Sequence, residues 1–180
     1  SGNIYASGYT KETNQKSDFF TMKWNPNSCY KVWIRTYNFS ANQSDKVESM
    51  IVDAAGNVYI TGRSDSDPND TIDNNDIVTI KYNTSGSQQW IQRYNGIGNL
   101  RDEPSKIILD NSGHVLVCGR MEKLNDDDFV VIKYDQVTGT PIWATPATYN
   151  GPFSNDDRPL DMVVDNNDAV FVAGYSQTGS

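Results

Sequence analysis

Residues Ala54–Ser64 read AAGNVYITGRS, a tight turn followed by a run of strand formers and then a glycine. The phrase recurs as SGNIYASGYT from Ser1, NSGHVLVCGR from Asn111 and NNDAVFVAGYS from Asn166. Aligning the turn gives Gly2, Gly56, Gly113 and Asp168, at intervals of 54, 57 and 55 residues. Trp33, Trp90 and Trp143 keep nearly the same period, as do Tyr37, Tyr94 and Tyr149, and Asp53, Asp110 and Asp165. Self-similarity at this length signals a solenoid, a propeller or an array.

Working outward from that phrase, the second unit shows four strand-like segments. VESMIVD (Val47–Asp53) is a continuous apolar run, expected to be an inner strand buried on both faces. NVYITG (Asn57–Gly62) follows the turn, DIVTIKY (Asp76–Tyr82) is third, and QQWIQRY (Gln88–Tyr94) is fourth and most polar. Burial is therefore expected to fall from the first strand to the fourth, as in a propeller blade whose first strand lines a central channel. The Trp-to-Tyr interval lengthens from four to six in the third unit, where Pro146 interrupts WATPATY, and proline is tolerated at an edge. Gly56 and Gly113 are expected to supply a positive φ, and Gly8, Gly62, Gly119 and Gly174 to end the second strand where backbone turns or approaches closely.

Composition agrees with an all-β reading. The 180 residues are only 37% hydrophobic, so any core is thin or modular, and no segment keeps helical apolar spacing. The chain has 23 acidic and 15 basic residues, a net charge of −8, and no Lys/Arg cluster that would track phosphates; nucleic acid is not an expected partner. The longest apolar runs are far short of the ~20 residues that cross a bilayer, so no membrane insertion is expected. Cys29 and Cys118 fall in different units and are not expected to form a disulfide, Cys118 reading as a small buried side chain.

GNVYITGRS, DIVTIKYNTSGSQQWIQRYNG and DEPSKIILDNSGHVLVCGR together resemble the bacterial beta-propeller repeat family of the SBBP type, over nearly the whole chain. The resemblance implies a propeller in an exported bacterial protein, extracellular, on the cell surface or in the periplasm, and implies no particular reaction. Departures are His114 for the usual Asn, Asp168 and Ala169 for Gly-Asn, and Trp24 where other units have Tyr82 and Tyr134.

The expected architecture is a β-propeller segment of four-stranded antiparallel blades, about three blades and 13 strands, with units at 1–44, 45–101, 102–156 and 157–180. Closed rings use roughly four to eight four-stranded blades, so the segment is expected to belong to a larger ring. Flanking blades or a second copy would complete it.

Strand alternation places short turns on one face and the long acidic loops on the other, and this second face is the expected binding surface for a protein or glycan ligand. Its loop DSDPNDTIDNND carries oxygen side chains at Asp65, Asp67, Asn69, Thr71, Asp73 and Asp76, the ligand spacing of a calcium loop. Asp70 stands where that loop needs Gly, Pro68 stiffens it and Asp76 replaces the bidentate Glu, so a solvated insertion is the simpler reading. Calcium is the one cofactor candidate.

Asp18, Asp76 and Asp128 precede the third strand, and Asp45, Asp102 and Asp157 the first. Their recurrence suits backbone N–H acceptance better than catalysis, which needs one asymmetric site. A nucleophilic triad lacks a base, because the single histidine, His114, lies in a short turn; zinc fails for the same reason. Trp33, Trp90 and Trp143 read as blade-to-blade packing rather than sugar platforms. The expected function is a non-catalytic scaffold or recognition module. The alternative is a carbohydrate-active propeller enzyme, a glycosidase or lyase using channel-mouth carboxylates.

Overall fold

A computed structural model describes residues 2–11, 16–28, 30–39, 44–65, 74–124, 126–153 and 155–178. It contains 13 strands, which form four antiparallel sheets, with no helix among the described residues. Strands β1 (Ile4–Lys11), β2 (Ser17–Trp24) and β3 (Lys31–Tyr37) make the first sheet, in that order. The second is β4 (Asp45–Val52), β5 (Val58–Asp65), β6 (Asn75–Tyr82) and β7 (Gln88–Tyr94). The third is β8 (Asp102–Leu109), β9 (Val115–Glu122), β10 (Asp127–Tyr134) and the short β11 (Ala147–Tyr149). The fourth holds β12 (Asp157–Val164) and β13 (Val170–Ser176). Each sheet is a meander, so the chain is an open arc of propeller blades.

The turns follow from their residues. Gly56 and Gly113 have φ of 87° and 85°, and Asp168 takes the same left-handed region at 61°. Preceding aspartates pin these turns. Asp53 accepts the Asn57 N–H at 2.8 Å, Asp110 the His114 N–H at 2.8 Å, and Asp165 the Ala169 N–H at 2.9 Å.

Period-two alternation sends successive side chains to opposite blade faces. Val58, Ile60, Val78 and Ile80 pack with Phe19 and Trp33 between the first and second blades. Tyr59 and Ile77 pack with Trp90, Ile107, Val117 and Ile132 between the second and third. Leu116, Cys118, Val131 and Met162 fill the next junction. The core is thus a series of flat seams.

The expected burial gradient is corrected. β6 is buried throughout and β5 nearly so, whereas β4, the inner strand, is mostly half-buried. An inner strand has one sheet neighbour and faces the open channel, while the two middle strands are covered on both edges and both faces. The fourth strand of the third blade shrinks to three residues, and Trp143 lies outside it.

The recurrent glycine is also relocated. Gly62, Gly119 and Gly174 sit inside β5, β9 and β13 rather than at their ends. Each inner strand has a register shift opposite them, between Val47 and Ser49, Pro104 and Lys106, and Pro159 and Asp161. Such a bulge bends the strand and re-aims the extra side chain. It also presses the backbone onto the glycine: a Cβ on Gly62 would lie 2.3 Å from the Lys46 carbonyl oxygen.

Candidate functional site

The bulges direct Glu48, Ser105 and Leu160 toward the channel, where a cavity of about 380 Å³ is also lined by Arg63, Glu103, Arg120, Arg158 and Tyr175. Position two of β8 and β12 supplies Glu103 and Arg158, while the equivalent Lys46 of β4 lies over the Tyr9 ring instead, and the residue after the recurrent glycine supplies Arg63, Arg120 and Tyr175. The blades therefore differ here. An ion chain runs across the arc: Arg63 Nε lies 3.5 Å from Glu48, and Arg63 Nη1 donates to Glu103 Oε1. Arg120 donates to Glu103 Oε2 from Nε at 2.9 Å and from Nη2 at 2.7 Å, and pairs through Nη1 with Asp127. Arg158 Nη2 continues the chain to Asp127 at 3.2 Å and Asp156 at 3.5 Å.

Electrostatics separates the two channel glutamates. Burial raises Glu103, but the Arg120 and Arg63 guanidiniums outweigh it and hold its carboxyl below the ordinary range. Glu48 goes the other way: burial raises it, Arg63 opposes, and the Glu103 charge adds to the rise. Arg158 Nε is buried and has no acceptor among the described residues. The groove thus holds a carboxylate fixed by two guanidiniums, the partly exposed Arg158 side chain, and a second carboxyl whose charged form is disfavoured.

The inner-strand aspartates recur at the blade junctions. Asp45 accepts the Phe39 N–H at 3.0 Å, and Asp102 and Asp157 accept those of Gly96 and Gly151. A Cβ on Gly96 or Gly151 would come within 2.8 Å of the Asp102 or Asp157 Oδ1, so the carboxylate occupies the space that a side chain would need. Burial pushes Asp102 up to about 7, with Asp76 adding to it, and Asp45 up to about 6, with Asp18 adding. Of the third-strand set, Asp76 pairs with Arg93 at 2.6 Å, Asp128 pairs with Lys123, and Asp18 is half-buried. Arg93 also donates to Ser64 and lies 3.9 Å from the Phe39 ring centre.

Of the calcium-loop residues, Asp67, Asn69, Thr71 and Asp73 lie outside the described residues. Asp65 ends β5, and Asp76 spends an oxygen on Arg93. No group of three or more His, Cys, Asp or Glu among the described residues is placed to hold a metal ion. Cys118 is a free thiol, buried and pushed up to about 11 by that burial; Cys29 lies outside the described residues. His114 Nδ1 is 3.0 Å from Asp110.

The tryptophans form latches. Trp33 Nε1 donates to the Thr84 carbonyl at 3.1 Å and Trp90 Nε1 to that of Gln136 at 3.0 Å, each joined by a lysine, Lys23 at 3.2 Å and Lys81 at 2.8 Å. The indoles cover Gly86 and Gly139, whose φ of 80° and 76° shape the receiving turns. Trp143 lines an apolar recess with Phe129, Val131, Tyr149, Val170 and Val172.

The arginine chain was not singled out from sequence. Its one local signal is Arg after the recurrent glycine, at Arg63 and Arg120, with Tyr9 and Tyr175 in the other units.

Residues 32–68 match the family model of the SBBP beta-propeller repeat. That stretch runs from β3 through the whole of β4 and β5, including the bulge and its glycine. No curated protein matches the chain.

Proposed function

Because the chain is built of SBBP-type beta-propeller repeats, we propose that it is a non-catalytic scaffold or recognition module of an exported bacterial protein. It binds a protein or glycan at the long-loop face, in the groove at the channel mouth. The observation that carries this reading is the state of Glu103, whose two oxygens are both committed to guanidiniums while the Arg158 side chain stays 38% exposed in the groove. Such a site recognises hydrogen-bonding groups while Glu103 is held away from attacking or deprotonating them. Polar groups fixed by a rigid arc of strands keep the ordering cost of binding low.

The test is an array of neutral and acidic oligosaccharides and of peptides, probed with the intact protein. Binding without turnover, weakened roughly tenfold or more by Arg158→Ala, is the expected result, since a lost charge-assisted hydrogen bond is worth about 1.5–3 kcal/mol.

The second reading is a glycan-cleaving enzyme. It rests on Glu48 and Glu103 being pushed in opposite directions, the pattern of an acid and a base. Hydrolysis of a bound oligosaccharide that disappears in Glu48→Gln, with binding retained, would establish it in place of the first.

A further inference from the structure

The same place between neighbouring blades is filled at one junction and empty at the next. Trp33 and Arg35 share one face of β3 and point toward the second blade. Arg35 lies against the Trp33 ring, its guanidinium carbon 6.0 Å from the ring centre, and Nε donates to the Gly86 carbonyl at 2.6 Å. One period on, β7 repeats the arrangement with a shorter side chain. Lys23 pairs with Trp33 and Lys81 with Trp90, and likewise Thr21 pairs with Arg35 and Thr79 with Gln92. Trp90 covers Gly139 as Trp33 covers Gly86. Gln92 thus takes the Arg35 position, and its side chain makes no hydrogen bond among the described residues.

A cavity of about 200 Å³ lies beside Gln92, lined also by Tyr94 of β7, by Ile132 and Tyr134 of β10, and by Trp143 and Pro146. Both blades that form it are four-stranded. A second departure from the repeat keeps it open. In the second blade the fourth strand runs alongside the third from Ile77 to Tyr82, and Ile80 faces Ile91. In the third blade β11 pairs only with Phe129, Val130 and Val131. Pro146 stands at the next place, opposite Ile132, and has no N–H to give to a ladder. The chain between Pro141 and Pro146 therefore leaves the sheet, and Trp143 comes to border the cavity.

We propose that this cavity is a docking site for an arginine side chain of a partner protein. This goes beyond the channel-mouth reading and does not depend on it. Arg35 identifies the occupant, because it shows what fills this step of the repeat. The partner's guanidinium lies on the aromatic faces and donates to the Gly139 carbonyl, as Arg35 donates to that of Gly86. Tyr94, Tyr134 and Trp143 supply the π surface, on which a planar guanidinium stacks better than an ammonium. The one cation among the described lining residues, Arg93, turns its guanidinium away: Nη1 is held by Asp76 and Nη2 by Ser64 Oγ, each at 2.6 Å. The net charge of −8 favours the approach of a cationic partner. Size favours a side chain over a whole ligand, since small-molecule pockets run from about 300 Å³ upward.

The experiment titrates an acetylated and amidated peptide, Gly-Ser-Gly-Arg-Gly-Ser-Gly, into the isotope-labelled 180-residue chain and follows amide and indole NMR shifts. Saturable binding at roughly millimolar concentration or below is expected, with shifts centred on Gln92, Tyr134 and the Trp143 indole. Replacing the peptide's arginine by citrulline keeps the shape and removes the charge, and should weaken binding at least about tenfold; leucine should do the same. Gln92→Arg restores the side chain of the first junction and should abolish binding without lowering the melting temperature. The citrulline comparison, made on the unchanged chain, carries the test if that variant folds poorly. The proposal is overturned if citrulline or leucine binds as well as arginine, if Gln92→Arg folds and keeps its affinity, or if the shifts fall at the channel mouth around Arg158. No binding by about 10 mM peptide, or free arginine binding more tightly than the peptide, overturns it too.

Discussion

The Cα of Val47 lies 2.8 Å from the point where a Cβ on Gly62 would begin. Two backbones meet there without a side chain between them, and the bulge at Glu48 is what brings them together. Gly62→Ala forces both strands apart, because the nearest obstacle is main chain rather than a mobile side-chain tip. We expect it to cost about 2–3 kcal/mol in urea unfolding, with Gly119→Ala similar and Gly8→Ala close to neutral. Equal losses at positions 8 and 62 would contradict the packing described here.

Asp102 gives the junctions a pH dependence. Its folded-state pKa of about 7 lies above the unfolded value of ~3.9, so the folded chain holds the proton more tightly. Stability from this group is full below the unfolded value and is lost as pH rises through about 7; Asp45 acts likewise up to about 6. Asp102→Asn keeps an acceptor for the Gly96 N–H and removes the titration. Urea melts from pH 4 to 8 should show the wild type losing stability relative to this variant as pH rises. A constant difference across that range would mean that Asp102 is not titrating there.

Trp90 and Trp143 occupy equivalent places with different surroundings. Trp90→Phe removes the donor to the Gln136 carbonyl and should cost about 1 kcal/mol, and Trp90→Ala about 3–5 kcal/mol. Trp143→Ala should cost less than half as much as Trp90→Ala, because no Gly-bearing turn covers it among the described residues. Thermal melts of the three variants side by side decide the matter.

Arg120 sits between Glu103 and Asp127 with only 7% of its side chain exposed. Arg120→Met leaves those carboxylates without their main partner and should destabilise by about 3 kcal/mol at pH 7. Glu103 is depressed in the wild type, so its contribution is present above the unfolded value of ~4.3 and fades as pH falls through the folded one. The gap between wild type and variant should therefore narrow in acid. A pH-independent gap would assign the loss to packing of the arginine stem.

Turn chemistry and alternation act over a few residues, and what depends on them alone could be read from the sequence. Asp53 followed by Gly56 makes its turn whatever surrounds it, Val58 and Tyr59 must face opposite ways, and Pro146 breaks the last strand of its blade. The period then multiplies these local choices into 13 strands. The channel mouth is of another kind. Arg63 reaches Glu103 across 40 residues, and Arg120 faces Glu103 because the extra residue at Ser105 shifts the β8 register until the two stand opposite each other. Where β4 ended up half-exposed and β6 sealed, the number of neighbours decided, not the hydrophobicity of either run. Gly62 shows the division within one residue: the repeat marked it as required, and only the inner strand lying against it, a contact made through the folded sheet, supplied the reason.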